Sequence, residues 1–158
     1  MEKGLGREMK SIIVILLIAV TYCYAANVLE TVIGMIGMEK DEVLKSLPNL
    51  KEDDKDTYSL ESTAKVYGIE LREIVFEFKY DQLSSVMLNP LLDSDMKGCL
   101  TVGSALREDY GKVEPYKSMF GTCWIWKTYK VKIILFEKKI GTHPSSWFIF
   151  IEKRKADE

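Results

Sequence analysis

The sequence predicts an α+β fold, with two helix-plus-three-strand units forming an antiparallel β-sheet and the helices packed on one face. Three observations carry this. Apolar residues recur at helical spacing in two separated stretches, 28–47 and 93–110. Each stretch is followed by segments in which apolar and polar residues alternate with period two. The order of helix, loop and three strands occurs twice, over about 28–89 and about 93–153. A three-stranded sheet must cover one face with a helix, and two such units can join edge to edge.

The chain opens with Lys3, Arg7 and Lys10, followed by the apolar run from Ile12 to Val20 and by small residues at Ala25 and Ala26. A basic start, a short apolar core and a small-residue exit make up a secretory signal peptide, so residues 1–25 are expected to be removed. Met9 is a compact alternative start. The run is nine residues long, against the roughly 20 that a membrane-crossing helix needs. Lipidation at Cys23 is a second alternative, although Tyr22 is bulkier than the residue that normally precedes a lipid-bearing cysteine.

Within residues 26–158, expected to form one domain, Val28, Leu29, Val32, Ile33 and Ile36 form a helical stripe. A break is expected near Gly37-Met38, then a short helix from Glu39 to Leu47 that Pro48 stops. Lys51 to Asp56 is a charged run, read as a solvated loop. Strands are expected near Ala64–Leu71, at Arg72–Tyr80 and at Leu83–Leu88, with a hairpin turn at Tyr80-Asp81-Gln82. A helix over 93–110 follows, stopped by Gly111. The last strands are expected near Thr122–Thr128, at Tyr129–Glu137 and at Ser146–Lys153, with a turn over 141–145.

Removing residues 1–25 leaves 133 of the 158 residues, with 19 basic and 22 acidic side chains. That balance gives no pull toward nucleic acid or anionic lipid. No later segment is long and apolar enough to span a membrane. Two cysteines remain, Cys99 and Cys123, and an even count in an oxidising compartment predicts one disulfide. No metal site is expected, because the cysteines lie far apart with no histidine beside them.

No catalytic motif is present, and no cofactor is expected. The one histidine, His143, sits in a Gly-Thr-His-Pro-Ser-Ser turn without an evident orienting acid. Carboxylates at Asp53-Asp54, Asp56, Asp93, Asp95 and Glu108-Asp109 leave a small secreted hydrolase as an alternative. Aromatic residues concentrate in the last strands. Alternation puts Trp124 and Trp126 on one face of their strand, and Phe148 with Phe150 on one face of theirs. Both faces of this sheet are therefore apolar. One can pack on a helix; the other must be covered by the rest of the chain or by a partner. Trp124, Trp126, Phe148 and Phe150 are the candidate aromatic binding residues, since aromatic side chains dominate interface hot spots.

The stretch from Ile36-Gly37-Met38 to Leu47-Pro48 resembles the opening of exported α+β domains such as the β-lactamase inhibitor proteins and the small SmpA/OmlA outer-membrane assembly lipoproteins. The Val75–Lys79 strand and the Leu83 strand fit the same scheme. The resemblance implies a non-enzymatic, partner-binding role. The leading expectation is thus an exported, periplasmic or extracellular binding module that recognises a protein or cell-envelope component. An envelope assembly or scaffold role is the other alternative.

Overall fold

The structure is a computed structural model that describes residues 27–91, 96–140 and 143–154. The expected signal peptide over 1–25 lies outside the described residues. Two short helices come first, α1 (Val28–Met35) and α2 (Lys40–Ser46). Asn27 caps α1, its side chain accepting a hydrogen bond from the Leu29 amide. Gly37, at φ +90°, makes the break between the helices. The linker is pinned to the sheet: the Gly37 amide donates to Leu83 O at 2.8 Å, and the Leu83 amide donates to Met38 O at 2.9 Å. Acidic Asp41 and Glu42 lie in the first turn of α2 and basic Lys45 in its last, as the helix dipole favours.

The strands of the first half are β1 (Lys51–Asp54), β2 (Thr57–Glu61), β3 (Lys65–Val66), β4 (Ile69–Lys79) and β5 (Gln82–Pro90). The expected hairpin turn is present, with Tyr80 and Asp81 at φ 52° and 58°. Helix α3 (Met96–Tyr110) ends where expected, at Gly111, whose φ is +90°. The second half adds β6 (Tyr116–Ser118), β7 (Gly121–Lys127), β8 (Val131–Ile140) and β9 (His143–Lys153).

All pairings are antiparallel, in the order β1-β2-β4-β5-β9-β8-β7-β6, with β3 off the path beside β4. The α+β class with helices on an antiparallel sheet is borne out. Each half contributes four strands to the path rather than the expected three, and the halves meet at the β5–β9 seam. Strands β1 and β6 are the two edges, and β2 takes the place expected for Ala64–Leu71, a stretch that instead turns at Tyr67-Gly68 to form the short β3–β4 hairpin. The charged run expected as a loop is therefore edge strand β1, with every side chain exposed. Charged residues suit an edge, because they discourage pairing with another chain. The residues expected as a turn near 143–145 instead open β9.

The helices cover one face. Along it, Leu60, Ile74, Phe76, Val86, Leu88, Ile149, Ile133 and Trp126 are all buried. Helix α3 packs on β8 at Gly103, whose Cβ position lies 3.4 Å from Leu135 Cδ2, an ordinary packing distance. Polar ties lock the layer in place. Tyr67 donates to Asp109 at 2.6 Å, and Tyr110 donates to Glu30, joining α3 to the β3–β4 hairpin and to α1. Lys40, at the start of α2, pairs with Asp56 at 2.8 Å and lies over the rings of Tyr58 and Phe78.

The expected Cys99–Cys123 disulfide is not formed; both thiols are free. The reason is topological. Cys99 is buried on α3, on the helical side of the sheet. Cys123 pairs across to Phe136 and alternates with Trp126, whose indole reaches the α3 side, so it faces the other way. The sheet lies between the two sulfurs. Burial, reinforced by the nearby charge of Glu137, pushes the Cys99 thiol up to about 11.

Candidate functional site

The structure separates the four aromatic residues that the sequence suggested as one site. Trp126 is 1 % exposed and belongs to the core, where its Nε1 donates to Gly111 O at 2.8 Å. Trp124, two residues back on the same face, is half-buried and packs against that core. Neither is on an open surface with the phenylalanines. Phe148 and Phe150 alternate with buried Trp147, Ile149 and Ile151, so they project from the face that the helices leave open.

Register fills in the rest of that open face. Cross-strand pairing aligns Ser59, Val75, Met87, Phe150, Ile134 and Ile125 in one row running over six strands. A second row holds Cys123, Phe136 and Phe148. The Phe136 and Phe148 rings meet at 5.2 Å between centroids, tilted by 34°. These apolar side chains stand outside the buried core cluster, and Ile125 is 39 % exposed. Val75, Met87 and Ile134 were not singled out from the sequence. Alternation within each strand was visible, but only the β4–β5–β9–β8 register shows that they join Phe150.

Polar residues border the apolar row along one side, and on the other only in the first half; in the second, Phe148, Phe136 and Cys123 continue the apolar surface. On one side run Thr57, Glu77, Ser85, Glu152, Lys132 and Lys127. Ser85 donates to Glu77 at 2.6 Å, and Lys132 pairs with Glu152 at 3.4 Å. On the other side Asn89 donates to Glu73 at 3.1 Å, and Glu61 sits across from Glu73. Both halves carry both charges on this face: Glu61 and Glu77 pair with Lys51 and Lys79 at 3.1 and 3.3 Å in the first half, and Lys127, Lys132 and Lys138 stand with Glu152 in the second. The surface is apolar at its centre and partly bordered by charge. It can bind a complementary surface, and it offers no enclosed cleft in which to orient a small substrate.

The candidate carboxylates do not converge. Asp53 and Asp54 lie on edge strand β1, and Glu108 and Asp109 lie at the far end of α3. Asp56 is engaged by Lys40, which holds its carboxyl below the usual range. Asp93 and Asp95 lie outside the described residues, as does the side chain of His143. A polar cleft of about 360 Å³ opens beside the β4–β5 turn, lined by Glu39, Lys40, Asp41, Tyr80, Asp81 and Gln82. Among the described residues no cluster of three or more His, Cys, Asp or Glu could hold a metal ion. No helix among them is long and apolar enough to cross a membrane.

No protein-family model matches the chain, and no curated protein matches it. The resemblance to β-lactamase inhibitor proteins and SmpA/OmlA lipoproteins therefore rests on the sequence motifs alone. A solved structure of a DUF4309 family protein, YjgB from Bacillus subtilis, is similar over 73 % of this chain and 78 % of that one, with 12 % identity and a TM-score of 0.43.

Proposed function

We propose that this chain is an exported, non-catalytic binding module that recognises a protein or cell-envelope component through the open face of its sheet. One observation carries the reading. Val75, Met87, Phe150, Ile134 and Ile125 form a continuous apolar row on the face opposite the helices, outside the buried core. A contiguous apolar patch rimmed by polar residues is the mark of an interaction surface. The β-lactamase-inhibitor-like opening at residues 36–48 points the same way, as does the signal-like start at residues 1–25.

Two variants test it. Ile134→Asp and Phe150→Asp each place a carboxylate in the row. Both are expected to keep a cooperative melt within about 1–2 kcal/mol of the parent, since the sites are half-buried. Both are expected to lose retention on the envelope fraction of the native host by at least about tenfold, the effect of removing a hot-spot anchor. Leu100→Asp, at an exposed α3 position, is the control and should be retained. Equal retention of all three would remove the open face as the binding surface. The protein recovered from the host is expected to begin at Ala26. A lipid-bearing chain beginning at Cys23 would replace soluble export with membrane attachment.

A further inference from the structure

We propose that the corner of the sheet formed by the β7–β8 turn and the end of β9 rests on an anionic membrane surface, with Tyr129 at headgroup level and Lys127, Lys130, Lys153 and Arg154 over the lipid phosphates. This goes beyond the open-face reading and uses none of the side chains of the apolar row. Over the whole chain, charge offers no such pull, since 19 basic residues stand against 22 acidic ones after residue 25. The cations are instead gathered locally. Lys127 faces Lys132 across the β7–β8 hairpin, and Val131, which opens β8, faces Lys153 on β9.

The turn between them is held in one shape. Thr128 Oγ1 accepts from the Lys130 and Val131 amides at 3.2 and 3.0 Å, and the Thr128 amide donates to Val131 O at 2.9 Å. Arg154 closes the turn from the side, its amide donating to Lys130 O and its Nη1 to Thr128 O, each at 2.9 Å. Tyr129 therefore stands at the tip of a fixed turn, 94 % exposed. An apolar ring with a polar hydroxyl is the combination that settles at a membrane–water interface.

The cations around it keep their charge. Lys130 Nζ donates to Gly34 O at 3.0 Å, Lys153 Nζ donates to Gln82 Oε1 at 3.1 Å, and Arg154 donates to Thr128 O. These acceptors are neutral, so they fix each cation in place without cancelling it. Among the described residues Lys127, Lys130, Lys153 and Arg154 form no ion pair, whereas neighbouring Lys132 is paired with Glu152. The acidic side chains at this end of the sheet, Glu39, Asp41 and Asp81, line the cleft at the β4–β5 turn, and β9 lies between that hairpin and β7–β8.

The directions of the side chains select the partner. Lys153 lies opposite buried Val131 and so points to the helical side, as does Lys130, which reaches α1. Lys127 alternates with buried Trp126 and points to the open face. Charges that diverge from both sides of a sheet cannot converge on one phosphate. A surface that carries many phosphates can meet them together, and each basic residue near it adds to the attraction.

Co-sedimentation with vesicles tests this, using phosphatidylcholine alone and phosphatidylcholine with about 30 % phosphatidylglycerol. The parent is expected to bind the anionic vesicles about tenfold more tightly, and to lose most of that difference in about 0.5 M salt. The apolar run near the N-terminus is common to all variants, so the differences between variants carry the result. Lys127→Gln with Lys153→Gln is expected to weaken binding to anionic vesicles by about tenfold or more, at about fivefold per basic residue. Tyr129→Ser is expected to weaken binding to both kinds of vesicle severalfold. Lys117→Gln with Lys138→Gln removes the same charge from the other end of the sheet and is expected to bind as the parent does. Thermal melts confirm that all of them fold. Equal loss from the two double variants, equal binding to both kinds of vesicle, or parent-like binding by Tyr129→Ser overturns the proposal. Displacement by inorganic phosphate beyond that by chloride at the same ionic strength also overturns it, in favour of a discrete anion site. Ile134→Asp is expected to bind vesicles as the parent does, so this proposal and the open-face reading can fail separately.

Discussion

Trp126→Ala is expected to cost about 4 kcal/mol of folding stability, in line with large-to-small changes at buried aromatic sites. Trp126 is 1 % exposed and lies across from Ile133, which is fully buried. Its indole also closes the end of α3, donating to Gly111 O at 2.8 Å. Truncation opens a cavity beneath that corner and leaves the Gly111 carbonyl without its donor. For a domain of this size the loss corresponds to a fall in melting temperature of roughly 10–20 °C. Trp124→Phe is the informative contrast. Among the described residues the Trp124 indole nitrogen is buried with no hydrogen-bond partner, so replacing it with a phenyl ring removes an unsatisfied donor and should be nearly neutral. Equal, large losses at both positions would mean that Trp124 also belongs to the load of the core, against its half-buried placement.

Gly121→Ala is expected to be at least as damaging to the second half of the sheet, costing about 3 kcal/mol or more. Gly121 opens β7 at φ +152°, and an added Cβ would lie 2.0 Å from the backbone oxygen of Glu137. That neighbour is main chain in the β7–β8 ladder, so relief requires the strands to part. Gly34→Ala, in α1, makes the control: nothing lies within 4 Å of its Cβ position. Alanine there should stabilise by up to about 1 kcal/mol, because glycine is a poor residue inside a helix. Chemical denaturation of both variants checks the pair. A mild effect at Gly121 would show that the close approach of β7 to β8 is not maintained in solution.

Much of the fold was legible because the sequence obeys the physics of covered surfaces. The α1–α2 break at Gly37, the stop at Gly111 and the Tyr80-Asp81 turn all lie where backbone constraints put them. Arg72–Tyr80 alternates because one of its faces is core. Three strands were missed: β1 and β6 are edges whose side chains are all exposed, and β2 carries three buried residues in succession, so no alternation marks any of them. Lys51 to Asp54 looks like a loop for the same reason that it works as an edge. Cysteine parity failed because it carries no information about which side of a sheet each thiol occupies. The site was half legible. Phe148 and Phe150 were placed correctly on a common face, but joining them to Trp124 and Trp126 required knowing which face α3 covers. That follows from the packing of residues such as Gly103 against Leu135, which no single strand's pattern contains.

Oxidative footprinting tests the central claim most directly, by following Met87 in the protein held on its host's envelope and in the dilute purified chain. Met87 lies in the middle of the apolar row, while Met119, at the β6–β7 turn, is 86 % exposed and serves as the internal reference. The account predicts that envelope-held protein loses Met87 oxidation several-fold while Met119 oxidises at the same rate in both samples. Equal oxidation of Met87 in both, or protection confined to Met119, would contradict the open face as the surface through which this protein binds.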